Sequence, residues 1–326
     1  MDGNGDPILT PEKIATLIPS LTSAKKLWVG YSGGVDSHVL LDLVVRAFAK
    51  SCEYQINAIH VHHGISVHAD RWVQHCEQIC ADLAVPLTVL WVDGNVVDGR
   101  SPEEVARAAR FSAFENLLKA EECLLLAHHE ADQAETIMLR LFRGAGPVGL
   151  GGIPVKNVLG KSELIRPLLT FSKENILNYA TARNLQWIED ESNTSLRFDR
   201  NFLRSEIMPL LAVRWPKVIH SITRAGALCL ETVTTVQALA KEDLETVKGK
   251  TAQSLSVSAL LALDTARRRS VIRCWLQQLG FLAPSRDHME RIDREVLKAG
   301  PGRRPKLKIS YYEIRRQKDE LSVFII

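Results

Sequence analysis

Residues 32–37 read Ser32-Gly33-Gly34-Val35-Asp36-Ser37 and lie between two apolar runs. Two adjacent glycines let backbone N–H groups approach an anion, and a helix begun near Ser37 adds its positive end. Ser32 and Ser37 add hydroxyls. This is equipment for holding phosphate, although a plain Gly-Gly turn capped by Asp36 is the structural alternative. The stretch has neither the Gly-Lys-Ser ending of a P-loop nor the Gly-x-Gly-x-x-Gly spacing of a dinucleotide site. A second stretch, "HHEADQAET" from His128, puts Asp132, Glu135 and Leu139 on one helix face. Two carboxylates there can receive a cationic amine or remove its proton. Arg140, Arg143 and the glycines at 144 and 146 follow, suited to anions. His128 and His129 lack a third zinc ligand at fitting spacing, and a structural histidine pair is the alternative to a metal site. Glu103, Arg107 and Arg110 stand at i, i+4 and i+7, one helical face. The plain reading of that face is an exposed ion pair worth a few tenths of a kcal/mol.

These residues need elements to position them. Apolar runs at 27–31, 56–60, 87–92 and 123–127 alternate with amphipathic stretches at 37–50, 68–84, 102–119 and 132–142. Strands alternating with helices of this length predict right-handed crossovers and an α/β fold with a doubly wound parallel sheet. Ligands in such sheets sit beyond the carboxyl ends of the strands, where the polar motifs fall. A glycine-rich region covers 144–170. The alternation stops around Trp215-Pro216, so the first domain is expected at 1–215 and a smaller, mainly helical one at 216–326. The latter carries a basic segment, 300–318, with room for one or two short strands.

The bulk properties fit two soluble domains. The chain has 326 residues, 46% hydrophobic and 24% charged, with a formal net charge of only +3, so nucleic-acid binding would have to rest on local clusters. Two are visible. Arg197, Arg200, Arg204, Arg214 and Lys217 have few carboxylates beside them in sequence. Arg303, Arg304, Lys306, Lys308, Arg315, Arg316 and Lys318 bracket Tyr311 and Tyr312. The six cysteines are scattered, with only Cys76 and Cys80 close, which predicts reduced thiols. Neither a secretion signal nor an apolar run of about 18 residues is present, so a cytoplasmic protein without membrane spans is expected.

Ser-Gly-Gly-x-Asp-Ser after a first strand resembles the pyrophosphate loop of the N-type ATP pyrophosphatases, the PP-loop superfamily. Further motifs follow in order: "HVHHGISVHADRWVQ" from His60, "PEEVARAARFSAF" from Pro102, "AHHEADQAETIMLRLFRGAG" from Ala127, "RPLL" from Arg166, "WIEDESN" from Trp187 and "RNFLRSEIMPLL" from Arg200. Together they are similar to the tRNA(Ile)-lysidine synthetases over roughly residues 25–212. The resemblance implies a ligase that cleaves ATP between its α and β phosphates, puts AMP on carbon 2 of the wobble cytidine, and lets free L-lysine displace it. The missing P-loop lysine agrees with a loop that grips a departing pyrophosphate.

The resemblance further implies that Ser32, Gly33, Gly34, Val35, Asp36 and Ser37, with His60, Arg107, Arg110, His128 and Arg143, bind ATP. Asp36 would hold Mg²⁺, and Asp132 and Glu135 would meet the lysine or its departing proton. The partner would be tRNA(Ile) with a CAU anticodon, its phosphate backbone on the basic clusters, and a homodimer is left open. One departure stands out: Ala131 occupies a position where the family usually has an aspartate next to Asp132. Longer family members carry another C-terminal domain, so this chain reads as a short form. A tRNA-thiolating enzyme of the same superfamily, a small-molecule amide synthetase and a catalytically weakened tRNA-binding homologue are the alternatives.

Overall fold

The computed structural model describes residues 8–62, 64, 69–92, 102–189, 196–251, 253–300 and 303–326. Its first part alternates helix and strand: α1 (Pro11–Leu21), β1 (Lys26–Gly30), α2 (Val35–Phe48), β2 (Gln55–His62), α3 (Ala69–Asp82), β3 (Leu87–Trp91), α4 (Pro102–Leu117), β4 (Glu122–Leu125) and α5 (Glu130–Phe142). A short α6 (Pro147–Leu150), β5 (Lys156–Leu159), β6 (Ser162–Ile165) and α7 (Lys173–Ala182) follow. The strands form one sheet in the order β3-β2-β1-β4-β6-β5. All neighbours are parallel except the edge pair β5 and β6.

Successive strand residues point to opposite faces, and both faces are covered. Leu27, Val29, Cys123 and Leu125 join Leu40, Val44 and Ile176 in one core. Their neighbours Trp28, Leu124 and Leu126 join Phe114 and Leu118 of and after α4 in another. This is the doubly wound α/β sheet expected from the sequence. The strand order reverses between β1 and β4. Their following loops, the hexapeptide and "HHEADQAET", therefore open into one crevice.

The 144–170 region holds more than loop. Gly160 (φ +58°) turns a two-residue connection between the four-residue strands β5 and β6, too short to leave a periodic signal. Next come α8 (Asp199–Phe202), a π-helical turn (Leu203–Ile207), α9 (Met208–Arg214) and α10 (Val218–Thr246). Leu203 and Met208 pack with Ala134, Met138 and Leu139, anchoring this segment to α5.

By packing, the chain divides between Leu228 and Cys229. The division falls inside α10, whereas the change of sequence character at Trp215-Pro216 marks the start of that helix. The second unit comprises β7 (Ser254–Ser256), α11 (Val257–Ala262), α12 (Thr265–Gln278), α13 (Arg286–Arg291) with a π turn (Ile292–Leu297), and β8 (Lys306–Ile309), β9 (Tyr312–Gln317) and β10 (Glu320–Ile325). The strands make an antiparallel sheet ordered β7-β10-β9-β8. The helices are as expected, but the basic tail is largely sheet. Leu307, Ile309, Tyr312, Ile314, Leu321 and Val323 are buried in one core, and the charges are mostly the outward half of alternating strands.

Candidate active site

The hexapeptide leaves β1 and turns directly into α2. Gly33 has φ +86°, a left-handed conformation, and a Cβ there would lie 3.3 Å from the Cys76 sulfur. Only glycine fits both conditions. Gly34 is the N-cap of α2 and supplies no side chain to the helix's first N–H groups, which leaves that end open to an anion. Inside the turn, Ser37 Oγ donates to the Gly34 carbonyl (2.9 Å) and accepts from the Ser32 N–H (3.1 Å). From behind, the Ile188 N–H donates to the Gly33 carbonyl (3.0 Å). Val35 is the first residue of α2 and packs against the core.

His60 stands behind this loop. Its Nδ1–H donates to the Tyr31 carbonyl at 2.9 Å, and the ring is buried. Burial pushes its pKa down, outweighing that hydrogen bond. The imidazole therefore fixes the backbone entering the hexapeptide.

After β4, His128 and His129 take different partners. His129 is the N-cap of α5: its Nδ1 accepts from the Ala131 N–H (3.2 Å), and Asp132 returns a bond from the His129 N–H (3.0 Å). An accepting Nδ1 leaves the proton on Nε2. That nitrogen lies 3.7 Å from Asp36 and 3.6 Å from Asp132, so it bridges the two motifs. Asp36 also takes the Lys173 ammonium at 2.5 Å. Burial pushes the Asp36 carboxyl up, but His129 and Lys173 pull it below the usual range. For Asp132, burial is likewise outweighed by His129, Arg200 and His128, and the net shift is downward.

His128 faces an arginine group instead. Arg166, buried, donates from Nε to His128 Nδ1 (3.3 Å) and from its Nη1 to the Pro154 carbonyl (2.8 Å). Burial, then Arg166, Arg107 and Arg110, push His128 down to about 3 against the pull of Asp132. The imidazole is neutral at working pH. Arg166 itself falls to about 10 through burial and the charge of Arg107. Arg107 and Arg110 of α4 lie against the Phe111 ring, at 5.0 and 5.8 Å. The Glu103 side chain lies outside the described residues, as do His63 and residues 65–68 of the second motif.

Two further arginines close the other side. Glu135, 2% exposed, receives Arg200 Nε at 2.8 Å and Arg204 Nε at 2.6 Å. Arg204 also reaches Asp132 at 3.1 Å and Arg200 reaches it at 3.4 Å. The expectation that Arg200 and Arg204 face a partner's phosphates needs correction. They lie far in sequence from the carboxylates that neutralise them.

The comparisons with known proteins bear on what this crevice belongs to. A PP-loop domain model matches residues 9–211, and a TilS substrate binding domain model matches 255–322. The tRNA(Ile)-lysidine synthase of Coxiella burnetii is 40% identical over 317 residues, covering 96% of this chain and 69% of that protein. The chain belongs to the tRNA(Ile)-lysidine synthase family. The synthase of Yersinia pestis is 42% identical over 308 residues, 94% of this chain and 66% of that one. Among solved structures, the U34-tRNA thiolase NcsA from Methanococcus maripaludis shares the fold, with a TM-score of 0.56 at 19% identity over 68% of this chain and 77% of that chain.

Within this lysidine-synthase chain, the structure brings together Ser32–Ser37, Asp36, Asp132, Glu135 and His129, with His128, Arg107 and Arg110 on the adjoining side. It does not bring Arg143 to the loop. Arg143 is exposed at the far end of α5, about 20 Å along the helix axis from His129, and pairs with Asp199 at 3.7 Å. Ala131 is a first-turn residue of α5 whose N–H serves the His129 cap. Lys173 and the arginine pair on Glu135 were missed because nothing local in sequence marks them. The thiols offer little to sulfur chemistry: burial pushes Cys76 and Cys80 up to about 12, so neither is a thiolate at neutral pH.

Proposed function

We propose that this chain joins free L-lysine to carbon 2 of the wobble cytidine in the CAU anticodon of tRNA(Ile), at the expense of ATP. The observation that carries the reading is the meeting of Asp36 from the PP-loop and Asp132 from "HHEADQAET" on one imidazole, within a chain of the lysidine-synthase family. ATP phosphates would lie on the hexapeptide, whose open helix end and glycine at φ +86° leave room for oxygens close to the backbone. Asp36 fits Mg²⁺, which uses one or two carboxylates together with substrate phosphates. The ion would supply charge neutralisation at the phosphates.

In the first step the cytosine carbon-2 oxygen bonds to the α-phosphorus, and the bond to the bridging oxygen breaks with its electron pair leaving on pyrophosphate. In the second, the side-chain amine of lysine bonds to carbon 2 and AMP leaves with the oxygen. The amine must lose its proton to attack. Asp132, held ionised by His129 and Arg200, is the acceptor we assign. Glu135 is committed to two guanidiniums, so it acts on Asp132 by fixing Arg200 and Arg204. The neutral His128 is a donor through Nε2–H, because Arg166 occupies its Nδ1. The cytidine has to leave its stack to reach this crevice, at a cost of about a few kcal/mol, which an anticodon loop meets more readily than a duplex.

Cations for an RNA backbone remain on the second unit. Arg303, Arg304, Lys308 and Lys318 are exposed and form no ion pair among the described residues. Arg316 is different, since it donates to the Leu297 and Ala299 carbonyls and serves the fold. As a test of the loop's role, Asp36→Ala should reduce tRNA-dependent AMP release by at least a hundredfold while leaving the thermal midpoint within a few degrees. Persisting turnover would remove Asp36 from the mechanism.

A further inference from the structure

The hexapeptide has no lysine of its own, whereas a P-loop carries one that reaches the β and γ phosphates. One lysine nevertheless stands at the loop. Lys173 comes from 137 residues downstream and sets its ammonium on Asp36 Oδ1. Its backbone is held firmly. It is the first residue of α7, directly after the N-cap Ser172, which exchanges capping-box hydrogen bonds with Asn175. Helix α7 is tied to α2 by Tyr179 Oη donating to Asp42 (2.7 Å) and by Arg183 facing the same carboxylate (3.5 Å). Ile176 and Ala180 are buried in the shared core. So the helix that begins with the hexapeptide and the helix that begins with Lys173 are bonded and packed to one another. The Lys173 side chain itself is 39% exposed, on a flexible four-carbon stem with three rotatable donors.

We propose that Lys173 is the phosphate-binding lysine of this loop, supplied by α7 rather than by the loop. In the free protein it rests on Asp36. When the triphosphate enters, its ammonium transfers to phosphate oxygens and stays with the pyrophosphate half, leaving the Asp36 carboxylate to the cation. Resting on Asp36 keeps the ammonium within reach of the open N-terminus of α2. It also gives Asp36 a counter-charge that the incoming ligand replaces. The inference rests on the ATP reading above, and the experiment separates the two.

Calorimetric titration of pyrophosphate, with and without Mg²⁺, into wild type, Lys173→Met, Lys173→Arg and Asp36→Asn reads phosphate affinity without turnover. Lys173→Met should weaken pyrophosphate binding at least tenfold under both conditions, and Lys173→Arg no more than about threefold. Asp36→Asn should leave metal-free binding equal to wild type or tighter, because it releases the lysine. If Lys173 merely props Asp36, Lys173→Met and Asp36→Asn will behave alike, or Lys173→Met will bind pyrophosphate as wild type does. Either result overturns the proposal. A wild-type protein that binds neither pyrophosphate nor ATP would refute the ATP reading itself.

Discussion

Glu135 shows how far a residue's chemistry depends on neighbours that its sequence position conceals. Alone, it is a carboxylate one helical turn from Asp132 and a natural candidate base. In the fold it is buried between Arg200 and Arg204, 65 and 69 positions away, and its charge is already matched. Glu135→Gln should therefore cost stability first. Unpairing the arginines is expected to remove roughly 2–3 kcal/mol, below the roughly 3–5 kcal/mol of a fully buried broken pair, because the Arg204 side chain is 42% exposed. Denaturant unfolding checks this, and a loss below about 0.5 kcal/mol would show that the pair is not a clamp. The hexapeptide and the Asp132 motif were legible in the sequence because each is assembled from consecutive residues after one strand. Lys173 and the arginine pair were not. Their meaning is created by long-range contacts, and a basic residue among few carboxylates in sequence reads as a solvated or phosphate-facing charge.

The helix start at α5 decides where two carboxylates meet. The pattern placed this helix from 132, but it begins at Glu130 with His129 as N-cap. Histidine is not among the usual capping residues, so the signal was absent although the geometry is ordinary. His129→Asn tests the double duty of this side chain. Asparagine caps well, so stability should stay within about 0.5 kcal/mol, while the loss of the Nε2–H between Asp36 and Asp132 should lower kcat at least tenfold. An unchanged kcat would show that the bridge is not used. The strands β1–β4 and the helices α2–α5 were legible because strand and helix periods differ sharply, whereas α1 and α7, which also belong to this part, were not read from the sequence. The hairpin of β5 and β6 was hidden by four-residue strands in a glycine-rich stretch. Of the β8–β10 sheet only one or two short strands were expected, because its outward charges dominate the composition of the tail.

Across the whole molecule, buried and half-buried histidines tie stability to pH. His38, His60, His75 and His128 are all shifted below their ordinary value, with burial the largest cause in each. The unfolded chain then binds protons near pH 6.5 that the folded chain refuses. Their contribution is complete above about 6.5 and is lost as pH falls toward the folded values, about 3 for His128. Each refused proton removes up to about 1.4 kcal/mol per pH unit. The thermal midpoint should fall between pH 7 and pH 5, with a shallower slope in His128→Asn. A flat profile would contradict the neutral assignment of these rings. Wild-type protein incubated with tRNA(Ile) bearing a CAU anticodon, ATP, Mg²⁺ and labelled lysine should place one lysine on the wobble cytidine for each AMP and pyrophosphate released. AMP release that leaves the RNA without lysine, or no AMP release from a folded protein that binds this tRNA, would contradict it.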